Sequence, residues 1–536
     1  MCGIVSYIGN IDREVERRLH ATFSRHTYRG PDHQAWQRID PYTIFGFQRL
    51  AIRGLGGAGN QPLWSADRRD AIICNGEIYN EAALYELLGI ARPAGVSDCA
   101  VILPVIRRFG IHRACQLLDA EFAFVYRDVS AGVTYAARDP IGIRPLFYGT
   151  PSTGGGLVFA SEIKFLHGVC SEIKPFPPGH LYDGERFVPY RDIAQCERPV
   201  TDDDGGVSAA LEQLLIAAVR KRLVADVSVG FLLSGGLDSS LVCAIAARDA
   251  AASSGAPIET FAVGMLEDAI DVKYAEIVAR HIGSNHHNVF VTQDQARAAL
   301  DDVIFHLETW DITTIRASIG MYLVCKHIRH HTDIKVLLTG EVSDELFGYK
   351  YTDYAPSALA FQREAEKRVR ELHRYDVLRA DRCISAHSLE ARVPFGDLDL
   401  VAYVMAIDPE RKLNKTRMGK ALLRRAFADK GYLPDSILWR EKAAFSDAMG
   451  HSLVDSIKDH ANRTYTEHDL REASRRFPHA PPFTKESLLY REIFERHFPG
   501  RAELIPDYWM PNKHWEHCNV ADPSARVLPN YGASGR

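Results

Sequence analysis

Seven residues in the middle of the chain, Ser234-Gly235-Gly236-Leu237-Asp238-Ser239-Ser240, constrain the fold more than any other stretch. They follow an apolar, β-type run over 227–233 and precede a helix-type run over 241–248. The spacing predicts a strand, a tight turn and a helix start. Two glycines let a backbone approach an anion closely. Hydroxyls and unpaired N–H groups at a helix N-terminus form an anion cradle. Asp238 supplies a carboxylate that can hold a divalent cation. No lysine follows the glycines, so this is not the GxxxxGK[ST] phosphate loop. The plainer alternative is a Gly-Ser turn with Asp as a helix cap.

The rest of this half follows the same rhythm. Strand-like runs lie at 227–233, 258–265, 286–291 and 334–339, and helical runs at about 241–252, 272–282, 294–309 and 316–330. Alternation of this kind predicts a parallel sheet covered on both faces, with ligands at the carboxyl ends of its strands. Polar clusters fall at those ends or on the helices just after them. Thr313, Thr314 and Arg316 sit at a helix start. Glu341, Asp344 and Glu345 place three carboxylates within five residues. Such density repels unless a metal or cations neutralise it.

The chain opens Met1-Cys2-Gly3-Ile4. A small second residue permits removal of Met1, which would leave a cysteine with a free α-amine. An amine with pKa near 8 can serve as base for its own thiol. Further on come Arg29-Gly30-Pro31-Asp32, Arg49-Leu50-Ala51-Ile52, Asn75-Gly76-Glu77-Ile78-Tyr79-Asn80, Ser97-Asp98 and Asp139-Pro140-Ile141-Gly142-Ile143-Arg144-Pro145-Leu146. Strand runs with Gly, Pro and Asp punctuation dominate to about residue 190, with helical patterns near 12–28 and 81–109. This predicts an α+β domain of largely antiparallel sheets.

Those motifs, in that order, resemble the glutaminase domain of class II glutamine amidotransferases. With SGGLDSS, TGEVSDE, EARVPF (390–395) and WR-K (439–442), the chain resembles glutamine-hydrolysing asparagine synthetases over roughly residues 1–500. The resemblance implies an N-terminal-nucleophile (Ntn) four-layer αββα sandwich followed by an α/β ATP-pyrophosphatase-like domain. It implies that Cys2 attacks the glutamine amide while Asn75 and Gly76 form the oxyanion hole. Arg49 would pair the α-carboxylate as a bidentate fork, with Ala51 and Ile52 beside it, and Asp98 would take the α-ammonium, with Glu77 nearby. ATP would lie on Leu232, Leu233, Ser234, Gly235, Gly236, Asp238, Ser239, Val263, Thr339 and Gly340. The aspartyl-adenylate would face Thr313, Thr314, Arg316, Glu341 and Asp344. Asp238 and Asp344 would hold Mg²⁺, Glu341 would be the base for ammonia attack, and Lys442 would balance phosphate charge.

Four departures stand out. Arg53 adds a cation where the family has an apolar residue, and Gly54 replaces an acidic one. Thr339 replaces a serine. Val342 stands where the family has glycine, and a β-branched residue resists positive φ, so this loop must differ if the family glycine uses such a conformation. The implied reaction is asparagine synthesis from glutamine, aspartate and ATP. A same-architecture enzyme amidating another carboxylate is the alternative, and a non-enzymatic protein with a degenerate site is the remote one.

Composition sets the outer limits. At 536 residues, two or more domains are expected. A net charge of −5 leaves no electrostatic footprint for nucleic acid. Ten cysteines without a CxxC spacing point to reduced thiols and a cytoplasmic setting. No apolar run reaches membrane-spanning length and no signal peptide is visible. The expected domains are 1–200 and 207–517, joined by an acidic Gly-rich linker at 201–206 and followed by a disordered tail at 518–536. Oligomeric state is not legible, and a homodimer stays open.

Overall fold

The computed structural model describes residues 1–196, 198–266, 270–415, 418–440 and 451–531. The chain divides into two compact units: Met1–Ile193 with Ala225–Ser228 and Ser385–Glu390, and Ala194–Val224 with Val229–Ile384 and Ala391–Arg536.

The first unit holds two antiparallel six-stranded sheets. One has the order Cys170–Pro175, Phe147–Pro151, Leu157–Ala160, Gly3–Ile8, Thr43–Arg49, His33–Asp40. The other runs Phe187–Pro189, His180–Tyr182, Val133–Arg138, Ala120–Asp128, Asp70–Ile78, Leu63–Trp64. Period-two alternation decides what each face buries. On Asp70–Ile78, Ala71 and Ile73 join Ile4, Phe45, Phe47 and Phe159 between the sheets. Ile72 and Cys74 face outward, onto Leu84, Val105 and Ile106 of the helices Glu81–Leu88 and Ile102–Phe109. The helix Arg13–Arg25 buries Val15, Leu19 and Phe23, one face at helical spacing, and Asp12 caps it through Glu14 and Val15 N–H. Phe23 meets the ring of Trp36, on the edge strand of the first sheet, at 5.9 Å. The layers are therefore αββα, as expected. The helical pattern over 81–109 is two helices rather than one, because Gly89 takes φ +66 and ends the first.

The second unit is built on a five-stranded sheet in the order Asn285–Val291, Glu259–Met265, Val229–Leu232, Val336–Leu338, Glu390–Arg392. The first four are parallel, with Gly230 opposite Glu259 on one side and Leu337 on the other. Numbered along the unit, the order is 3-2-1-4-5. It reverses direction between Val229–Leu232 and Val336–Leu338. Connections from these two strands leave to opposite sides, so a crevice opens at their carboxyl ends. The loops that start there, 234–240 and 339–345, are rich in glycine, hydroxyls and carboxylates.

Two sequence expectations are corrected. The Gly-rich stretch at 201–206 is not simply a linker: Asp203 caps the helix Asp204–Arg222 by accepting from Gly206 N–H at 2.7 Å, so both glycines lie in its first turn. Nor is 518–531 a disordered tail. Cys518 is buried, Asp522 pairs with Arg316 at 2.8 Å and Lys458 at 2.6 Å, and Asn530 bonds Lys350 O and Asp353. Its polar composition masked these long-range anchors. Among the described residues no helix is long and apolar enough to cross a membrane.

Gly30 shows how tightly the first unit is closed. A Cβ there would lie 2.2 Å from the carbonyl carbon of Gln48. Gly30→Ala is expected to lower stability by about 3 kcal/mol, read from urea midpoints. A loss under about 0.5 kcal/mol, within the range of an ordinary surface change, would contradict this packing.

Candidate active site

In the first unit, Gly3–Ile8 is an inner strand, and its register delivers Cys2 to the end of Asp70–Ile78. Cys2 N–H donates to Asn75 Oδ1 at 3.0 Å, and its thiol points to Leu50 O at 3.8 Å. Asn75 Nδ2 is buried and has no partner among the described residues. An amide donor left unpaired beside a thiol is what an oxyanion hole supplies. Gly76 is compelled by packing, since a Cβ would fall 2.7 Å from Glu121 O. Met1 is fully buried. Its ammonium donates to Leu389 O at 3.3 Å, and burial pulls it down to about 5. Burial pushes the Cys2 thiol up to about 11. With Met1 in place the Cys2 nitrogen is a peptide N–H and cannot act as a base.

Arg29, which read only as part of a turn, positions this nucleophile. Its Nε donates to Cys2 O at 2.8 Å, and its Nη1 pairs with Glu162 at 2.8 Å, with Arg29 and Glu162 both fully buried. Asp32, from the same motif, accepts from Ala51 N–H at 2.8 Å. The signal was present in RGPD, but the partner at Glu162 is 133 residues away.

The bidentate fork expected of Arg49 is not open in this arrangement. Both Nη1 hydrogens go to Gly56 O and Asn60 Oδ1 at 2.8 Å, and Nη2 donates to Arg53 O and Gly54 O. Only Nε–H remains. Ala51 and Ile52 lie beside it, both buried. Asp98 accepts from Ile78 N–H at 2.7 Å, and burial raises its carboxyl. Glu77 lies 3.3 Å from Arg53.

In the second unit, the crevice at the strand-order reversal is a cavity. Leu232, Leu233, Ser234, Gly236, Asp238, Ser239, Val263, Thr313, Arg316, Thr339, Gly340, Glu341 and Asp344 all line it. Gly235 and Thr314 do not. Gly235 turns the chain at φ +68, where a Cβ would lie 2.5 Å from Ala275 N. Thr314 faces Asp311, which caps the helix Ile312–His331. Ser234 and Ser239 hydroxyls meet at 2.9 Å across the turn. Gly340 packs so close that a Cβ would lie 2.8 Å from Ser239 N. Lys442 lies outside the described residues.

Val342 adopts φ +81, so the loop keeps a left-handed turn despite its β-branched residue. Such a conformation costs on the order of 1–3 kcal/mol. It is held because the next two residues are locked. Ser343 Oγ donates to Asp238 at 2.7 Å, and Asp344 pairs with Lys420 at 2.6 Å.

Lys420 was invisible in the sequence. Its buried ammonium lies 2.8 Å from Asp238 and 2.6 Å from Asp344, the two carboxylates expected to hold a metal. Arg316 is likewise committed, to Glu486 at 2.5 Å and Asp522 at 2.8 Å. Burial opposes its charge, but those two carboxylates hold its pKa well above the ordinary value. Arg440 stacks on Tyr274 at 3.3 Å and donates to Gly235 O at 3.2 Å. The cavity keeps polar atoms without partners among the described residues: Thr313 Oγ1, Thr339 Oγ1, Glu341 Oε2 and Arg379 Nε. Buried orphans of this kind mark where a polar ligand sits. Among the described residues no three acidic, imidazole or thiol groups cluster to hold a metal alone. Two carboxylates fit magnesium when substrate phosphates complete its shell.

Residues 1–177 match the family model described as a glutamine amidotransferase domain, and residues 210–363 and 353–521 match the one described as asparagine synthase. The chain is 39% identical to asparagine synthetase [glutamine-hydrolyzing] of Cricetulus griseus, with 100% of each chain covered. It is 39% identical to that of Gallus gallus, with 99% of each covered. It is 40% identical to the probable asparagine synthetase [glutamine-hydrolyzing] of Acanthamoeba polyphaga mimivirus, covering 99% of this chain and 100% of that one.

Lys420→Met removes the cation from between two carboxylates. It is expected to cost about 3 kcal/mol, because one partner of a buried ion pair is left bare. Thermal melts in a chelator should show the loss. Equal stability of the two proteins would contradict a charge-balancing Lys420.

Proposed function

The chain belongs to the family of glutamine-hydrolysing asparagine synthetases, and from that premise we propose how its residues divide an ATP-dependent amidation. In the first unit, removal of Met1 frees the Cys2 amine, which takes the thiol proton. The thiolate attacks the glutamine carboxamide carbon. Asn75 Nδ2 and Gly76 N–H receive the developing oxyanion; one such donor contributes about 2.7–4 kcal/mol. The C–N bond breaks, ammonia leaves, and water cleaves the thioester to glutamate. Arg49 Nε, with the carboxylates of Asp98 and Glu77, orients the amino-acid end.

In the second unit the β-carboxylate of aspartate attacks the α-phosphorus of ATP, and pyrophosphate departs from the Ser234–Ser239 turn. Ammonia then attacks the acyl carbon of the adenylate. Glu341 Oε2 takes the proton and AMP leaves, giving asparagine. Asp238 and Asp344 would hold Mg²⁺, which would supply positive charge for the phosphates. Lys420 keeps the same carboxylates balanced. A cytoplasmic location belongs to this proposal. So does a homodimeric state.

The observation that carries the reading most is the buried Asn75 Nδ2 beside Cys2, without a partner among the described residues. Cys2→Ala should abolish glutamine-driven asparagine formation while ammonium chloride still drives it, measured as AMP and asparagine release. Retained use of glutamine would refute Cys2 as nucleophile. Intact mass of the active enzyme should lack Met1; full activity with Met1 attached would contradict the amine as base.

A further inference from the structure

A group of buried carboxylates around the end of the strand Asp70–Ile78 contains a cation fixed by its own backbone. Glu77, Glu81 and Asp98 are each no more than 3% exposed. Arg53 reaches Glu77 at 3.3 Å and Glu81 at 2.6 Å, and Arg92 reaches Glu81 at 2.7 Å. Arg53 and Arg92 thus pair with Glu77 and Glu81, and burial raises the third carboxyl, that of Asp98. The placement of Arg53 is built in on both sides. Its carbonyl accepts from Arg49 Nη2 at 3.3 Å. The following Gly54 takes φ +61, donates to Asp226 at 2.7 Å, and has room for no Cβ, which would lie 2.4 Å from Val96 O.

We infer that Arg53 is a specificity-determining residue of the amide-donor site: on Glu77 it holds the place an α-ammonium would take, and so relaxes selectivity for donors that carry one. The inference rests on the reading of this pocket as the glutamine site. A buried carboxylate left bare penalises a substrate that lacks the matching cation, and sites built on such pairs discriminate strongly. Arg53 removes that penalty in advance. Glutamine must displace the guanidinium and gains less from its ammonium. Glutaramate, the five-carbon monoamide with a carboxylate and no amine, loses less by lacking one. Its hydrolysis follows the same bonds: C–S forms, C–N breaks, ammonia leaves, and water cleaves the thioester to glutarate.

The test compares kcat/KM for glutamine and glutaramate, followed by ammonia release, in the full-length enzyme and in Arg53→Met. The ratio of glutamine to glutaramate should rise by about tenfold or more, through a lower KM for glutamine and a higher one for glutaramate. Arg53→Lys, which keeps the charge, should leave the ratio within about threefold of the starting enzyme. An unmoved or lower ratio in Arg53→Met overturns the role of Arg53. If Arg53→Met does not fold, Arg53→Met with Glu81→Gln removes one charge of each sign and is held to the same ratio. Failure of the starting enzyme to hydrolyse glutamine at all would overturn the donor-site reading itself, and this inference with it.

Discussion

The Lys420 ammonium holds together the two loops that define the second unit. Asp238 comes from the turn after Val229–Leu232, and Asp344 from the turn after Val336–Leu338, the two strands between which the sheet order reverses. Like charges brought this close repel, and with Asp238 buried there is little water to screen them. One cation between them turns a repulsive pair into a clamp. Ser343 adds a hydroxyl to the same carboxylate, and the left-handed Val342 gives the backbone turn that places it. The strain at Val342 is thus paid by the ion pairs it makes possible.

The first unit depends on a similar economy of buried charge. Arg29 fixes the carbonyl of Cys2 and is neutralised by Glu162, so the nucleophile is held through its backbone. Asp139 accepts from Ile141, Gly142, Ile143 and Arg144 N–H, folding the loop that carries Arg144. Burial raises the Asp139 carboxyl, and these N–H groups oppose the shift.

Most of what was legible in the sequence was local. Glycines with no room for a Cβ, hydroxyls beside them and a strand just before are all contiguous in SGGLDSS and TGEVSDE, so both loops could be placed at strand ends. What was not legible depended on distance along the chain. Lys420 lies 182 residues from Asp238, and nothing in its own surroundings marks it. Arg49 could be named as a cation, but the commitment of its Nη1 and Nη2 groups to the carbonyls of Arg53, Gly54 and Gly56 and to Asn60 Oδ1 could not be seen, because main-chain acceptors leave no trace in a sequence. The segment after 517 looked polar and unstructured, yet Asp522 is ordered by Arg316 and Lys458 from elsewhere in the unit. Val342 shows the opposite case: a local rule argued against the turn, and tertiary ion pairs overrode it.

The central claim is that one chain cuts ammonia from glutamine and spends ATP at the α-phosphorus to place it on aspartate. Product analysis with glutamine labelled with ¹⁵N in its side-chain amide, unlabelled aspartate and ATP tests it most directly. The account predicts ¹⁵N-labelled asparagine, AMP and pyrophosphate in equal amounts. ADP and phosphate in place of AMP and pyrophosphate, or aspartate left unconsumed while glutamine and ATP are used, would contradict it.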